Sequence, residues 1–244
     1  MRVDPTALQY WFPKVQAAGL PVPKTLIVKA PAGIDACLDG KEPEGWGPFL
    51  AELTAAGTEV GYPCFLRTSY GSGKHDWKNT CYVKDAVSMG QHVYNLIEWS
   101  AMVDIMGLPT DTWVIREMLP VKPVAFLPNY GDMPFVREVR GFVRGRHLVC
   151  KHPYWPKGAI RQGFRQEPDN LEEIVSSVSK LSTGEGKIVS GLLRAVGNAV
   201  PGEWSVDLLE TDRGWCLTDM AEARRSFHWT GCTKARLLSQ EAHP

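Results

Sequence analysis

The feature that most restricts the fold lies near the C-terminus. Two apolar, strand-like runs, EWSVDLLE (203–210) and WCLTDM (215–220), flank Asp212-Arg213-Gly214. Three residues ending in glycine suit a three-residue hairpin loop with the glycine in the left-handed position. That register sets Asp207 opposite Asp219 on one side of a sheet. Directly opposed side chains have Cβ atoms ~4.5–5.5 Å apart, and like charges there are destabilising. A divalent cation held by oxygen ligands is the usual way to offset such repulsion, with Glu222, just beyond the strand, as a third carboxylate. A two-residue loop would instead set Asp207 opposite Thr218 and turn Asp219 to the other face.

The rest of the chain supplies more short strands and a few amphipathic helices. Leu8, Trp11 and Val15 form a helical stripe around Pro13, and KTLIV (24–28) reads as a strand. A helix carrying Phe49, Leu50 and Leu53 ends at Gly57, and another, behind Asp85, carries Met89, Val93, Leu96, Ile97 and Ala101. DTWVIREML is a strand. PFVREVRGFVR and HLVCKHPY form a hairpin turning at Gly145-Arg146, where a leading glycine fits a type II′ turn. Asn170 with Glu173 reads as a variant capping box opening a further helix, and a helix with Leu192 and Leu193 follows. Helices and antiparallel hairpins without regular βαβ alternation make an α+β protein.

With 44% hydrophobic and 22% charged residues over 244 positions, the chain is of ordinary globular composition and needs no staples to hold a core. Its formal net charge of +0 argues against nonspecific coating of nucleic acid. No apolar run approaches the ~20 residues of a membrane span and no secretory signal opens the sequence, so a soluble, cytoplasmic protein is expected. The 6 cysteines are scattered. With no close pair there is neither a zinc knuckle nor a redox Cys-x-x-Cys, and they read as small buried hydrophobes in a reducing compartment.

Two further segments carry chemistry. Ser69-Tyr-Gly-Ser-Gly-Lys-His-Asp-Trp77 joins two strand-like runs, and its glycines permit close backbone approach to an anion. Arg67, Lys74 and Lys78 would neutralise phosphate charge there. It is not a P-loop, which needs glycine at Thr68 and Ser or Thr at His75; a simple turn is the plain alternative. From Arg137 to Arg165 basic residues outnumber the single acid, Glu138. A hairpin turning at Gly145-Arg146 sets Arg140 opposite Lys151, a stack of cations that calls for an anionic partner; a solvated basic edge strand is the alternative. Magnesium suits the paired aspartates if a nucleotide is present, since it bridges carboxylates and phosphates.

The order of these segments resembles the ATP-grasp superfamily, in which two α+β lobes with antiparallel sheets enclose a nucleotide cleft. PCFLRTSYGSGKHDWKNTCYV looks like the hairpin whose loop covers the phosphates. Arg67, where many members have lysine, is typical of the divergent clade named for two arginines and a lysine, which includes eukaryotic cell-cycle assembly chaperones. WVIREML resembles the adenine-contacting hinge, FVREVRGFVR the clade's arginine-bearing strand, and WSVDLLE with LTDMAEARRSFHW its metal-binding end. The resemblance spans about residues 61–230. It implies a reduced N-terminal region (1–60), a small lobe with glycine loop and hinge (61–118), and a large lobe with the basic and metal-binding hairpins (119–244). Relatives tend to have an asparagine ligand where this chain has Ala221.

The resemblance implies ATP and Mg2+ as cofactors. Asp207, Asp219 and Glu222 would hold the metal, while Arg67, Lys74 and Lys78 bind phosphates. Glu117, Met118 and Leu119 would line the nucleotide, and Arg140 and Lys151 would reach the γ-phosphate or an acyl phosphate. The activity implied is ATP-dependent ligation through an acyl phosphate, on a carboxylate-bearing small molecule, peptide or protein. An ATP-binding assembly chaperone with little turnover is the second reading. A nucleic-acid-end ligase is weakest, because no Lys-x-Asp-Gly motif occurs.

Overall fold

The computed structural model describes residues 4–103 and 107–238, which form two compact units. One holds residues 23–119 and 126–133, the other residues up to 22, 120–125 and those from 134 onward. Among the described residues no helix is long and apolar enough to cross a membrane.

The first unit is built on an antiparallel sheet of β1 (Thr25–Lys29), β2 (Cys64–Thr68), β3 (Tyr82–Val83) and β4 (Thr112–Glu117), in the order β1-β4-β2-β3. Alternation along β2 and β4 sends Cys64, Leu66, Trp113 and Ile115 to one face, where they are fully buried. That face meets Phe49 and Leu53 of α2 (Trp46–Val60) and Val93, Leu96 and Ile97 of α3 (Met89–Val103). Helix α2 runs past Gly57, expected as its end, to a cap at Gly61. Gly57 stays within the helix where the Tyr62 hydroxyl would lie 2.3 Å from a Cβ. Ahead of α3, Asp85 accepts a hydrogen bond from the Ser88 amide at 3.0 Å.

The expected separate region 1–60 does not exist as a unit, and the reason is strand pairing. Thr25 pairs with Arg116, so β1 is an integral strand of the first unit's sheet. Residues before Pro23 belong instead to the second unit. There α1 (Leu8–Ala17) buries Leu8, Trp11, Phe12 and Val15, and Tyr10 stacks on Trp204 at 6.2 Å. The chain passes from one unit to the other after Leu119. A two-stranded ribbon pairs β5 (Ala125–Leu127) with β6 (Met133–Phe135).

The second unit carries the antiparallel sheet β10-β9-β7-β8, made of β7 (Glu138–Arg144), β8 (His147–Pro153), β9 (Glu203–Thr211) and β10 (Gly214–Glu222). Between β8 and β9 come α4 (Lys157–Gly163), α5 (Leu171–Ser179) and α6 (Thr183–Ala199). Helix α6 buries Val189, Leu193 and Val196, and Leu193 approaches Gly141 so closely that a Cβ there would lie 2.3 Å away. Arg144 pairs with His147 and Gly145 has φ +48°, so the β7–β8 turn is the two-residue one expected. The capping box expected at Asn170 is not formed, since Asn170 makes no side-chain cap. It occurs one helix later, where the Glu185 amide donates to Ser182 Oγ and the Ser182 amide to Glu185 Oε2. Arg137 also pairs with Glu185.

These contacts, the Ser182 hydrogen bonds first and Arg137 after them, hold the Glu185 carboxyl down at about 2, from an ordinary 4.5. A depressed carboxylate pKa stabilises the fold above the unfolded value and ceases to do so as pH falls through the folded one. Glu185→Gln should therefore melt below wild type at pH 7, and the gap should close between about pH 4.5 and 2. Ser182→Ala should cost about 1 kcal/mol. Thermal melts across that pH range measure both, and a pH-independent gap for Glu185→Gln would refute the assignment.

Candidate functional site

The closing hairpin reaches the expected pairing by an unexpected route. Its tip is Asp212-Arg213, and Gly214, at φ +102°, pairs with Thr211. This two-residue loop alone would set Asp207 opposite Thr218. The register holds through Leu217, which pairs with Leu208, and then shifts by one, so that Asp219 pairs with Asp207. Thr218 is the extra residue of a β-bulge, and its hydroxyl donates to the Asp207 carbonyl at 3.2 Å. The bulge thus returns both aspartates to one face.

On that face the row continues across the sheet. Arg140 of β7 pairs with Asp207 on one side and His152 of β8 on the other. The Arg140 guanidinium grips Asp207 with two bonds of 2.8 Å, Nε to Oδ1 and Nη2 to Oδ2, and stacks over Tyr154 at 4.6 Å. Burial works against the arginine's charge, but Asp207 outweighs it and raises the pKa. Asp207 is 6% exposed. Asp219 Oδ1 accepts from the Met220 amide at 3.0 Å.

Lys151 does not stand opposite Arg140. A register shift after Phe142 pairs Lys151 with Gly141 and sends its side chain to the other face of the sheet. Its ammonium donates there to the Gly186 carbonyl at 2.9 Å and to Ser190 Oγ at 2.6 Å, both on α6. Burial, then Arg194, lowers its pKa. The structure therefore removes Lys151 from the row to which the sequence reading assigned it. The anions demanded by the basic segment are internal: Arg137 pairs with Glu185 and Glu210, Arg144 with Glu203, Lys157 with Glu172 and Arg161 with Glu167.

Glu222 is likewise separated from the aspartates. It pairs with Trp204, one position out of phase with Asp219, and its carboxylate meets Arg224 at 3.5 Å and Arg225 at 3.4 Å. Ala221, in phase with Asp219 and opposite Ser205, adds only a methyl group to that face. Asp207 and Asp219 are hard oxygen donors set opposite each other across the β9–β10 ladder. This donor set fits a magnesium ion through two carboxylates, Mg2+ typically taking one or two with water and phosphate completing its shell.

In the first unit, Arg67 is 5% exposed and its Nε donates to the Thr68 carbonyl at 3.0 Å. It lies on the sheet face away from α2 and α3, in register with Val114, next to the Phe65–Arg116 pair. Arg116, 3% exposed, shares that face and escaped the sequence reading, in which Glu117 beside it drew the attention. The glycine loop is a pinned structure. Thr80 Oγ1 donates to the Gly73 and Asp76 carbonyls at 2.8 Å, the Gly71 amide donates to Thr68 Oγ1, and His75 stacks on Tyr130 at 4.5 Å. Lys74 opens a 3-10 turn in this loop. Lys78 pairs with Asp132 at 2.6 Å on an exposed surface. Glu117 Oε1 accepts from the Lys24 amide at 2.9 Å, and Met118 and Leu119 follow it, half-buried.

No protein-family model and no curated protein sequence matches the chain. C-terminally truncated Cdc123 from Schizosaccharomyces pombe matches with TM-score 0.58 and 12% identity, over 98% of this chain and 92% of that one. N5-carboxyaminoimidazole synthase from Aspergillus clavatus, in complex with ADP, matches with TM-score 0.51 and 12% identity, over 88% of this chain and 43% of that one. A RimK domain ATP-grasp protein from Sphaerobacter thermophilus matches with TM-score 0.48 and 16% identity, over 89% of this chain and 59% of that one. The chain thus spans under two thirds of the length of these last two proteins and nearly all of truncated Cdc123.

Removing one member of a buried ion pair leaves the other uncompensated. Arg140→Ala should destabilise the protein by about 3–5 kcal/mol in metal-free buffer. Magnesium should then raise the melting temperature of Arg140→Ala more than that of wild type, because the aspartates lose their competing cation. Equal magnesium shifts in the two proteins would show that Asp207 and Asp219 do not share an ion.

Proposed function

We propose that this chain, which has the ATP-grasp fold, is an ATP-dependent ligase that activates a carboxylate as an acyl phosphate. The observation that carries the reading is the row Arg140–Asp207–Asp219, two carboxylates and a guanidinium fixed on one sheet face. Asp207 and Asp219 would hold magnesium, which when bound spreads the charge of the transferring phosphoryl group. Arg67 and Lys74 would bind phosphate oxygens, Lys78 would reinforce them from the loop's far end, and Glu117 with the Met118 and Leu119 backbone would bind the base. Arg140, already oriented by Asp207, would steady the phosphoryl group as charge develops on it.

In this reaction a substrate carboxylate oxygen attacks the γ-phosphorus and ADP leaves. An amine or other nucleophile then displaces phosphate from the acyl carbon. No protein nucleophile is required, only positioning and electrostatic stabilisation. The substrate class is a carboxylate-bearing small molecule, peptide or protein.

The near full-length match to Cdc123 favours a second reading, an ATP-binding assembly chaperone acting on a protein partner with little turnover. The two readings share the nucleotide site and differ in products.

Mg-ATP should raise the melting temperature with the logarithm of ligand concentration, a hundredfold excess over Kd adding about 2.7 kcal/mol of stability. The Asp207→Asn/Asp219→Asn double variant should lose most of that shift. An unchanged shift in the variant would sink the site. With a true acceptor present, ADP and phosphate should accumulate; AMP and pyrophosphate would overturn acyl-phosphate chemistry. Tight ATP binding with a stable protein complex and no product would select the chaperone.

A further inference from the structure

No two cysteines lie close along the chain, so their spacing shows no metal knuckle. Folding assembles what the spacing does not show. Cys150 and His152, alternate residues of β8, project from the same face of the sheet as Phe142 and Arg140. The segment after β10 returns over that face and brings His228 and Cys232. One ligand atom from each of these four residues lies within 4.8 Å of all the others. Cys150 Sγ is 3.1 Å from His228 Nε2.

We propose that Cys150, His152, His228 and Cys232 form a structural zinc site. Two thiolates and two imidazoles in a closed cluster are the donor set of structural zinc. Bonds of ~2.3 Å to sulfur and ~2.0 Å to nitrogen put tetrahedral ligand atoms about 3.3–3.8 Å apart, so small side-chain rotations close the cluster on an ion. A second observation points the same way: among the described residues, His152 Nε2 is buried with no hydrogen-bond partner, an expensive state for a polar atom in the absence of a ligand.

The walls suit a structural centre. Phe142 packs against His228 at 4.4 Å between ring centroids, and Trp229 stacks on His152 at 6.1 Å. The Trp229 indole donates to the Pro153 carbonyl at 2.8 Å. Val149, Ala223 and Leu238 complete an apolar cluster with Phe142 and Cys150, against which Cys232 packs. This cluster is small, and a metal cross-link from strand β8 to the terminal segment supplies fixation that so little apolar area does not. The site is separate from the aspartate pair. His152 is the neighbour of Arg140 on its rung, so zinc would anchor the end of the row whose other end holds Asp207 and Asp219.

The test is metal analysis of the full chain, purified under reducing conditions without a metal-affinity step. Wild type should carry about one zinc per chain. Its cobalt(II)-reconstituted form should show intense tetrahedral d–d bands with a thiolate-to-cobalt charge-transfer band. Cys232→Ser and His228→Ala should weaken zinc binding more than about a hundredfold, whereas Asp207→Asn should retain zinc. The cobalt spectrum of wild type decides the matter even if a variant does not fold. Zinc-supplied protein that stays metal-free, a weak octahedral cobalt spectrum, zinc lost on Asp207→Asn but kept on Cys232→Ser, or a native Cys150–Cys232 disulfide would each overturn the proposal.

Discussion

The candidate chemistry of this protein depends on one extra residue in one strand. Without the bulge at Thr218, the two-residue turn would bury one aspartate alone beside an arginine and send the other to the opposite side of the sheet. With it, Asp207 is shared between a guanidinium on β7 and a carboxylate on β10. A buried carboxylate needs a partner. Arg140 supplies one for Asp207, and Asp219 brings a second carboxylate to the same rung. Bulges that re-aim a side chain are common beside active sites, and this one sets side by side two carboxylates that the turn alone would send to opposite faces.

A second bulge, in the β7–β8 hairpin, sorts the basic residues. It leaves Arg140 on the aspartate face and turns Lys151 to α6, where a carbonyl and a hydroxyl accept its hydrogen bonds. The same shift places His152 beside Arg140 and aligns it with Cys150. The two irregularities therefore bring hard oxygen donors at one end of the row and sulfur and nitrogen donors at the other onto a single sheet face. Opposite that face, Gly141, Leu193, Val189 and Val196 form ordinary helix-on-sheet packing.

Much of the fold was legible because its signals are local. The apolar pairs Leu96–Ile97 and Leu192–Leu193 mark helices, and the turn at Gly145-Arg146 follows from backbone chemistry at one glycine. The α+β class and the facing aspartates were also within reach. Elsewhere local rules compete. Asn170 and Ser182 both precede a helix with glutamate three residues on, and only Ser182 caps. Residues 1–60 are contiguous in sequence yet divided, since β1 completes the first unit's sheet while α1 packs in the second. Arg116 was passed over because a buried arginine in an apolar strand has no sequence signature distinct from that of an exposed one.

The sequence by itself determined which segments become strands and helices and which residue types can bind an anion or a cation, because hydrophobic period, turn chemistry and side-chain pKa are properties of short stretches. Only the tertiary structure decided which of those residues meet. Side chains on a strand alternate with period two, so one inserted residue exchanges the faces of everything beyond it. Two such insertions separated Lys151 from Arg140, joined Asp219 to Asp207, and put Cys150 and His152 within reach of His228 and Cys232, which lie some eighty residues further along the chain.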